Sequence, residues 1–458
     1  MKFRKFGKAL LMSALSAGVV FSLSSCVQSY TVGFLYVTGT QTSGKPGQGI
    51  ISGFKIDHNT GQLRPINTLP VSSGGSWPVR AVLIQGQRFF YVLNQGRDAA
   101  GGNDCTSATN PCTSPNITLY TVGGNGTLAP QPQQFFSQGN NPLRMIADAS
   151  GNFIAVLDHD APDSGKGSTN SCTLALGSNV TTCGDITMFK VDPTTGRLSL
   201  IINAQVTSSS GQALPYFPVP HDPIDFVLNG SYLLTLSGNP TEGDVVFPYN
   251  YSLSSGQLTI SQNGAQPVNT HQATAIQVGN SAVYVLDNEP VTITGGSNSV
   301  FQAGTYPGQI LPFTVGSGGA LQAQTGGPVP VDASQSNPLF TLVQTNKWAY
   351  VADAGNNLNQ NNPQSGITGY VIDTATSQLT PMSGSPFGSA VGIGAGPRCL
   401  VEDPSSQFIY TANYNDSNVT GLVLDQNSGV LRQLPGKAAK PFPLEGPATF
   451  CVVNGRTS

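Results

Sequence analysis

Short apolar runs rich in Phe, Tyr and Val alternate along the chain with polar, turn-forming stretches, and the same unit returns seven times. Each unit reads as an apolar strand A, an aromatic-rich strand B, an alternating strand C and a tight turn that closes on Gly-x-Leu. The B runs include Phe34-Leu35-Tyr36-Val37, Phe89-Phe90-Tyr91-Val92, Trp348-Ala349-Tyr350-Val351 and Phe408-Ile409-Tyr410-Thr411. Strand C alternates, as in Ile186-Thr187-Met188-Phe189, and the turn then delivers an outer strand D. The turns close at Gly61/Leu63, Gly126/Leu128, Gly196/Leu198, Gly256/Leu258, Gly319/Leu321, Ser377/Leu379 and Gly429/Leu431. Glycine dominates there because the closing residue of such a turn often needs positive φ.

Four antiparallel strands repeated seven times predict an all-β, seven-bladed propeller. The two ends of the pattern are complementary. The first repeat starts at strand B, Phe34 onward, and the last segment, Gly446-Pro447-Ala448-Thr449-Phe450-Cys451, has the character of strand A. Pairing the C-terminal strand with the N-terminal strands completes one blade and removes an open edge. The expected organisation is a leader over 1–25, a short linker over 26–33, one propeller over 34–454 and a tail over 455–458.

Composition narrows the functional classes. Charged residues make up 9% and the formal net charge is -3, with no basic run beyond the first residues, so nothing attracts nucleic acid. Lys2, Arg4, Lys5 and Lys8 precede an apolar stretch from Ala9 to Leu23, the order of a secretory signal and too short for a membrane-spanning helix. The stretch ends Leu23-Ser24-Ser25-Cys26, which resembles the bacterial lipobox, in which the leader is cut before the cysteine and the cysteine is lipidated. That resemblance implies a lipid-anchored protein of the cell envelope, held at a membrane, the outer one in bacteria with two, facing periplasm or exterior. Six further cysteines would then sit in an oxidising compartment. Cys105 with Cys112, and Cys172 with Cys183, lie close in sequence within polar loops and are expected to staple them. Cys399 and Cys451 fall in equivalent strands of successive repeats, where either a bridge or two buried thiols fits.

Connections A to B and C to D are short, whereas the B to C connections include long insertions, roughly 97–115, 160–184, 288–308 and 354–366. Strand alternation puts these on one face with the D to A links, so that face is the candidate binding surface. The links deliver Pro78-Val79-Arg80, Pro142-Leu143-Arg144, Pro220-His221-Asp222, Thr270-His271-Gln272 and Gly396-Pro397-Arg398 toward the channel. Arg398, Arg144 and His221 are the catalytic candidates. Arg80, His271, Asp287, Asp353 and His159 are ligand-binding candidates, an arginine fork suiting carboxylate or phosphate. The alternative is that these side chains merely hydrogen-bond strand carbonyls. No nucleophile elbow, zinc motif or phosphate loop occurs, so neither metal nor cofactor is expected. The expected partner is a small molecule, glycan or protein at that face, bound by a monomer.

The strand B signature, the Asp-x-x-Thr-Gly-x-Leu turn (Asp192 to Leu198) and the Gly-Pro-Arg entry (Gly396 to Arg398) resemble the lactonase-type seven-bladed propellers. That is the family of bacterial 6-phosphogluconolactonase and fungal carboxy-muconate cyclase. The likeness runs from about Phe34 to Asn454 and implies hydrolysis of a cyclic ester or sugar-acid lactone. Family enzymes carry Gly-Pro-Arg-His at this entry and Asn-Glu after the next strand B; here the residues are Gly396-Pro397-Arg398-Cys399 and Asn413-Tyr414. Arg398 carries over, and the His and Glu do not. A surface propeller that binds ligand, glycan or protein is therefore the first reading, and a lactonase-like hydrolase the alternative.

Overall fold

The structure, a computed structural model, describes residues 30–455 apart from 44, 85, 87, 98–111, 239–242, 280–281, 295–300, 345–346 and 356–364. Cys26, Cys105 and the leader lie outside the described residues.

Seven antiparallel sheets form the blades. The second blade runs outward as Pro78–Ile84, Phe89–Asn94, Asn116–Val122 and Leu128–Phe135. The inner strands of the third to seventh blades are Asn140–Ala147, Pro223–Asn229, Ala273–Val278, Pro338–Gln344 and Pro397–Glu402. In the first blade the inner strand is the C-terminal Ala448–Gly455, paired antiparallel with Thr31–Thr40. Each inner strand touches the next, and the strand of the seventh blade touches that of the first, so the seven close into a ring around a central channel.

The outer strand differs from the continuous one that the sequence suggests. In five blades it is broken into two pieces that pair with the same third strand, as Leu63–Pro65 and Val71–Ser76 both pair with Gln48–Asp57. In the third blade the break holds an insertion, and its Val206, Leu214 and Tyr216 pack with Ala161, Cys172 and Cys183 in a small separate core.

The repeated residues lock blade to blade. The strand B tyrosine crosses into the next blade and donates its hydroxyl to the carbonyl of the turn residue there. Tyr36 bonds Gly126 at 2.9 Å, Tyr284 bonds Ser377 at 3.4 Å, Tyr350 bonds Gly429 at 2.5 Å, Tyr410 bonds Gly61 at 2.8 Å, and Tyr91 bonds Gly196. All seven turn residues have positive φ, Ser377 included at 57°. Space matters as well as φ, since a Cβ on Gly126 would stand 2.4 Å from the Phe34 ring, and one on Gly61 would stand 2.6 Å from Phe408. Where the turn carries a side chain, at Ser377, the preceding blade has Ala282 in place of the ring.

Two disulfides are present among the described cysteines. Cys172–Cys183 staples the long loop of the third blade, and Cys399–Cys451 joins the inner strands of the seventh and first blades, with Cα atoms 6.0 Å apart.

Candidate functional site

Every inner strand enters the channel through the same irregularity. In each blade one residue near the start of the strand is skipped by the ladder: Val79, Leu143, Ile224, Thr274, Leu339, Arg398 and Thr449. A bulge of this kind re-aims a side chain, and seven of them around one axis turn their residues toward the channel mouth. The bulge fixes a register that the sequence motif hides. Arg398 is itself the skipped residue, whereas Arg80 and Arg144 stand one position later. The corresponding residue of the fourth blade is Asp225, so His221, three residues before the bulge, belongs to the link and not to the strand.

A cavity of about 240 Å³ occupies the mouth, lined by Val79, Thr274, Leu339, Arg398 and Thr449 of the bulges, by Arg80 and Arg144, and by Trp77, Gln95 and Tyr414. Three guanidiniums from three blades therefore face one space. Arg144 donates Nη1 to the Leu143 carbonyl at 3.0 Å, and its Nε lies 3.3 Å from Asp225 Oδ1, an ion pair by distance though the N–H is not aimed at the oxygen. Asp225 also accepts the backbone N–H groups of Phe226 at 2.9 Å and Ile276 at 3.2 Å. Arg80 donates to the Val79 carbonyl at 2.8 Å and lies 4.7 Å over the Phe450 ring. Burial pulls its pKa down to about 9, with Arg144 adding repulsion and Asp225 opposing. Arg398 stacks 3.9 Å over Tyr414, and burial lowers its pKa while Tyr414 raises it. Among the described residues no carboxylate pairs with Arg80 or Arg398.

The remaining candidates take other places. His221 Nδ1 is 3.0 Å from Asp222, and His271 Nδ1 is 3.2 Å from Glu289; both pairs are exposed on the mouth-side face and neither lines the cavity. His159 sits between Asp160 at 3.2 Å and Asp222 at 3.5 Å, joining the third and fourth blades. Asp287 and Asp353, expected to face a ligand, are fully buried at the ends of their B strands. Asp287 accepts from Gln309 Nε2 at 2.8 Å, and Asp353 accepts from the Thr368 hydroxyl at 2.6 Å. Burial pushes Asp353 up to about 8. Tyr414, which stands where the family enzymes carry Glu, lines the cavity, whereas Trp77 and Gln95 were not singled out in the sequence; the signal available was their place at the strand ends flanking the entry. The Cys172–Cys183 loop packs on the outer insertion and contributes nothing to the cavity lining.

Chemically the mouth offers charge-assisted donors and an aromatic wall, with no imidazole or carboxylate among its lining residues. Neither a protein-family profile nor a curated protein sequence matches the chain. Solved structures do. The periplasmic gluconolactonase PpgL of Pseudomonas aeruginosa is 15% identical, with 92% of this chain and 98% of that one covered at a TM-score of 0.60. A Lactobacillus plantarum protein is 14% identical over 93% and 99% at 0.60. A Bacteroides fragilis protein provisionally named 6-phosphogluconolactonase is 15% identical over 92% and 98% at 0.58. At these identities the likeness concerns the fold alone: the chain is a seven-bladed β-propeller.

Proposed function

We propose that the channel mouth binds a small anionic, polyhydroxylated molecule of the sugar-acid class, in a propeller tethered outside the cytoplasm through Cys26. The observation that carries this reading is the pair of guanidiniums, Arg80 and Arg398, that line the cavity with no carboxylate paired to them among the described residues. A buried cation lacking its counter-ion is costly, and a ligand carboxylate or phosphate would supply one through bidentate hydrogen bonds. Thr274, Thr449 and Gln95 add neutral partners for hydroxyl groups. The basic leader ending at Cys26 and the disulfides favour an oxidising compartment.

Isothermal titration of the protein with D-gluconate and with inorganic phosphate tests the reading. Arg398→Ala is expected to weaken binding about tenfold or more, in line with the loss of one charge-assisted contact. Absence of heat with every sugar acid tried would reject it.

The likeness to a gluconolactonase supports a second reading, hydrolysis of a sugar lactone at the same site, with Arg398 and Arg144 holding the developing oxyanion. The Asp225 carboxylate is engaged by Arg144 and by the backbone N–H groups of Phe226 and Ile276. Turnover in a lactone panel, lost in Arg398→Ala, would favour this second reading.

A further inference from the structure

One column of the fold asks the same question of several blades and receives one discordant answer. A residue at or near the end of strand B faces one at or near the start of strand C, and four blades place polar side chains on both: Asn94 with Asn116, Asp158 with Asp185, Asp287 with Gln309, and Asn413 with Asn418. In three of them an amide supplies the hydrogen: Asn94 donates to Asn116 at 2.8 Å, Gln309 to Asp287 at 2.8 Å, and Asn413 to Asn418 at 2.7 Å. The third blade has two carboxyl groups there. Both are fully buried, and Asp158 Oδ2 and Asp185 Oδ1 have no hydrogen-bond partner.

We propose that Asp158 and Asp185 share one proton, the O–H of one donating to the other, and that this pair acts as a positioning element for Arg144 at the channel mouth. The proton takes the part that an amide plays in the sister blades. Two oxygens satisfy a proton, whereas Ca²⁺ takes six to eight oxygen ligands, and among the described residues no three His, Cys, Asp or Glu groups converge to hold a metal. Two ionised carboxylates in such a position would repel one another without solvent to screen them. The charges acting on the pair are of the wrong sign to relieve it: Asp160 and Asp163 add to the repulsion, and no Lys or Arg contributes. His159, beside Asp158, is engaged by Asp160 and Asp222. Burial pushes Asp158 up to about 8 and holds Asp185 well above its ordinary range.

The connection to Arg144 runs through the link that precedes its strand. Ser137 donates its hydroxyl to Asp158 at 2.7 Å, and Gln138 donates its N–H to Thr187 at 2.8 Å. Gly139 is pressed onto the pair, where a Cβ would fall 1.9 Å from Asp185 Oδ1. Asn140–Ala147 follows at once, with Pro142 paired to Asp158 and Arg144 two residues on. Loss of the proton would therefore loosen the backbone that aims Arg144. This rests on the anion-binding reading only in the use made of Arg144.

The test compares the protein with Asp185→Asn, which recreates the Asp287–Gln309 arrangement. Denaturant unfolding is followed between about pH 5 and about pH 8.5, where the slope of stability with pH counts the protons taken up on folding. The variant is expected to take up about one proton fewer than the parent. Hydrogen-exchange protection along Asn140–Ala147, taken relative to the intrinsic base-catalysed rate at each pH, should fall toward alkaline pH in the parent and stay level in the variant, and D-gluconate affinity should persist to higher pH in the variant. Equal slopes, or protection that falls equally in both, would overturn the proposal. A Ca²⁺-dependent, EDTA-reversible rise in Tm of the parent that Asp185→Asn abolishes would also overturn it, in favour of a bound cation. Should Asp185→Asn not fold, Asp158→Asn takes its place, and the infrared difference spectrum of parent minus variant at neutral pH, in which the buried Asp353 cancels, decides the matter by the presence or absence of a protonated-carboxyl carbonyl band. The slope and exchange measurements need no ligand, so failure of gluconate to bind would count against the function proposed above and not against the shared proton.

Discussion

The seam between the seventh and first blades and the seam between the third and fourth are built from the same strands and held in different ways. At the first, Cys399–Cys451 joins the two inner strands and Tyr410 clasps Gly61, over an apolar cluster that includes Leu35, Val37, Phe408 and Val419. At the second, Ala155 stands in the tyrosine position, so the strand B clasp is missing, and the tyrosine hydroxyl that crosses this seam comes from the other side, Tyr249 donating to the Pro218 carbonyl at 2.5 Å. Charged groups replace it near the mouth: Arg144 against Asp225, and His159 between Asp160 and Asp222. The difference follows from topology. The C-terminal strand is held in its blade by hydrogen bonds to Thr31–Thr40, so its detachment would open the ring, and a pH-insensitive staple guards it. The third and fourth blades are joined by continuous chain and can carry titratable contacts without that risk.

Three experiments probe the contrast. Replacing Cys399 and Cys451 together by Ala should have the largest effect. The bridge spans 52 residues, and releasing a loop of that length costs about 4 kcal/mol on the chain-entropy account, read by denaturant unfolding. A loss no greater than that from Cys172→Ala with Cys183→Ala would erase the special status of the closing seam. Tyr410→Phe comes next. It leaves the buried Gly61 carbonyl without its donor and should cost about 1–2 kcal/mol, while a Phe at a blade that lacks the clasp has nothing equivalent to lose.

The smallest effect concerns His159. Burial works against its charged form, but Asp160 and Asp222 outweigh it, so the folded pKa is raised. A raised histidine contributes fully below its ordinary value of about 6.5 and loses that contribution as pH climbs through the folded value. Hydrogen-exchange protection around residues 220–225, relative to the intrinsic rate at each pH, should therefore fall from neutral to alkaline pH, with that of the closing seam unchanged, and His159→Gln should remove the fall.

Much of this architecture was legible in the chain. The aromatic strand and the Gly-x-Leu turn recur because they are two halves of one contact, the tyrosine of one blade against the turn of the next, so each blade must carry both. The complementary ends were readable for a related reason, since a strand without a partner is an exposed edge. The entry register was not legible. A bulge inserts one residue without changing the alternation on either side, so Pro-x-Arg and Pro-Arg look alike although Arg398 and Arg144 occupy different positions. His221 was drawn into the site by Pro220, when Pro223 is the proline that starts the strand. Asp287 and Asp353 sit at strand ends, where an acid can face solvent or turn inward; the column they share with Asn94 and Asn413 shows which, and only the paired strand reveals it. The broken outer strand escaped because most of its pieces, such as Leu63–Pro65, are only two or three residues long, too short for a periodic signal.

The direction of Thr31–Thr40 has a consequence for how the disc is presented. This strand starts on the side of the C to D turns, where Tyr30 stacks on His58 with ring centroids 4.4 Å apart and accepts the His58 N–H at 3.0 Å. It ends on the side of the arginine-lined opening. The strand therefore joins the disc from its underside, and the arginine-lined opening lies on the opposite, free face.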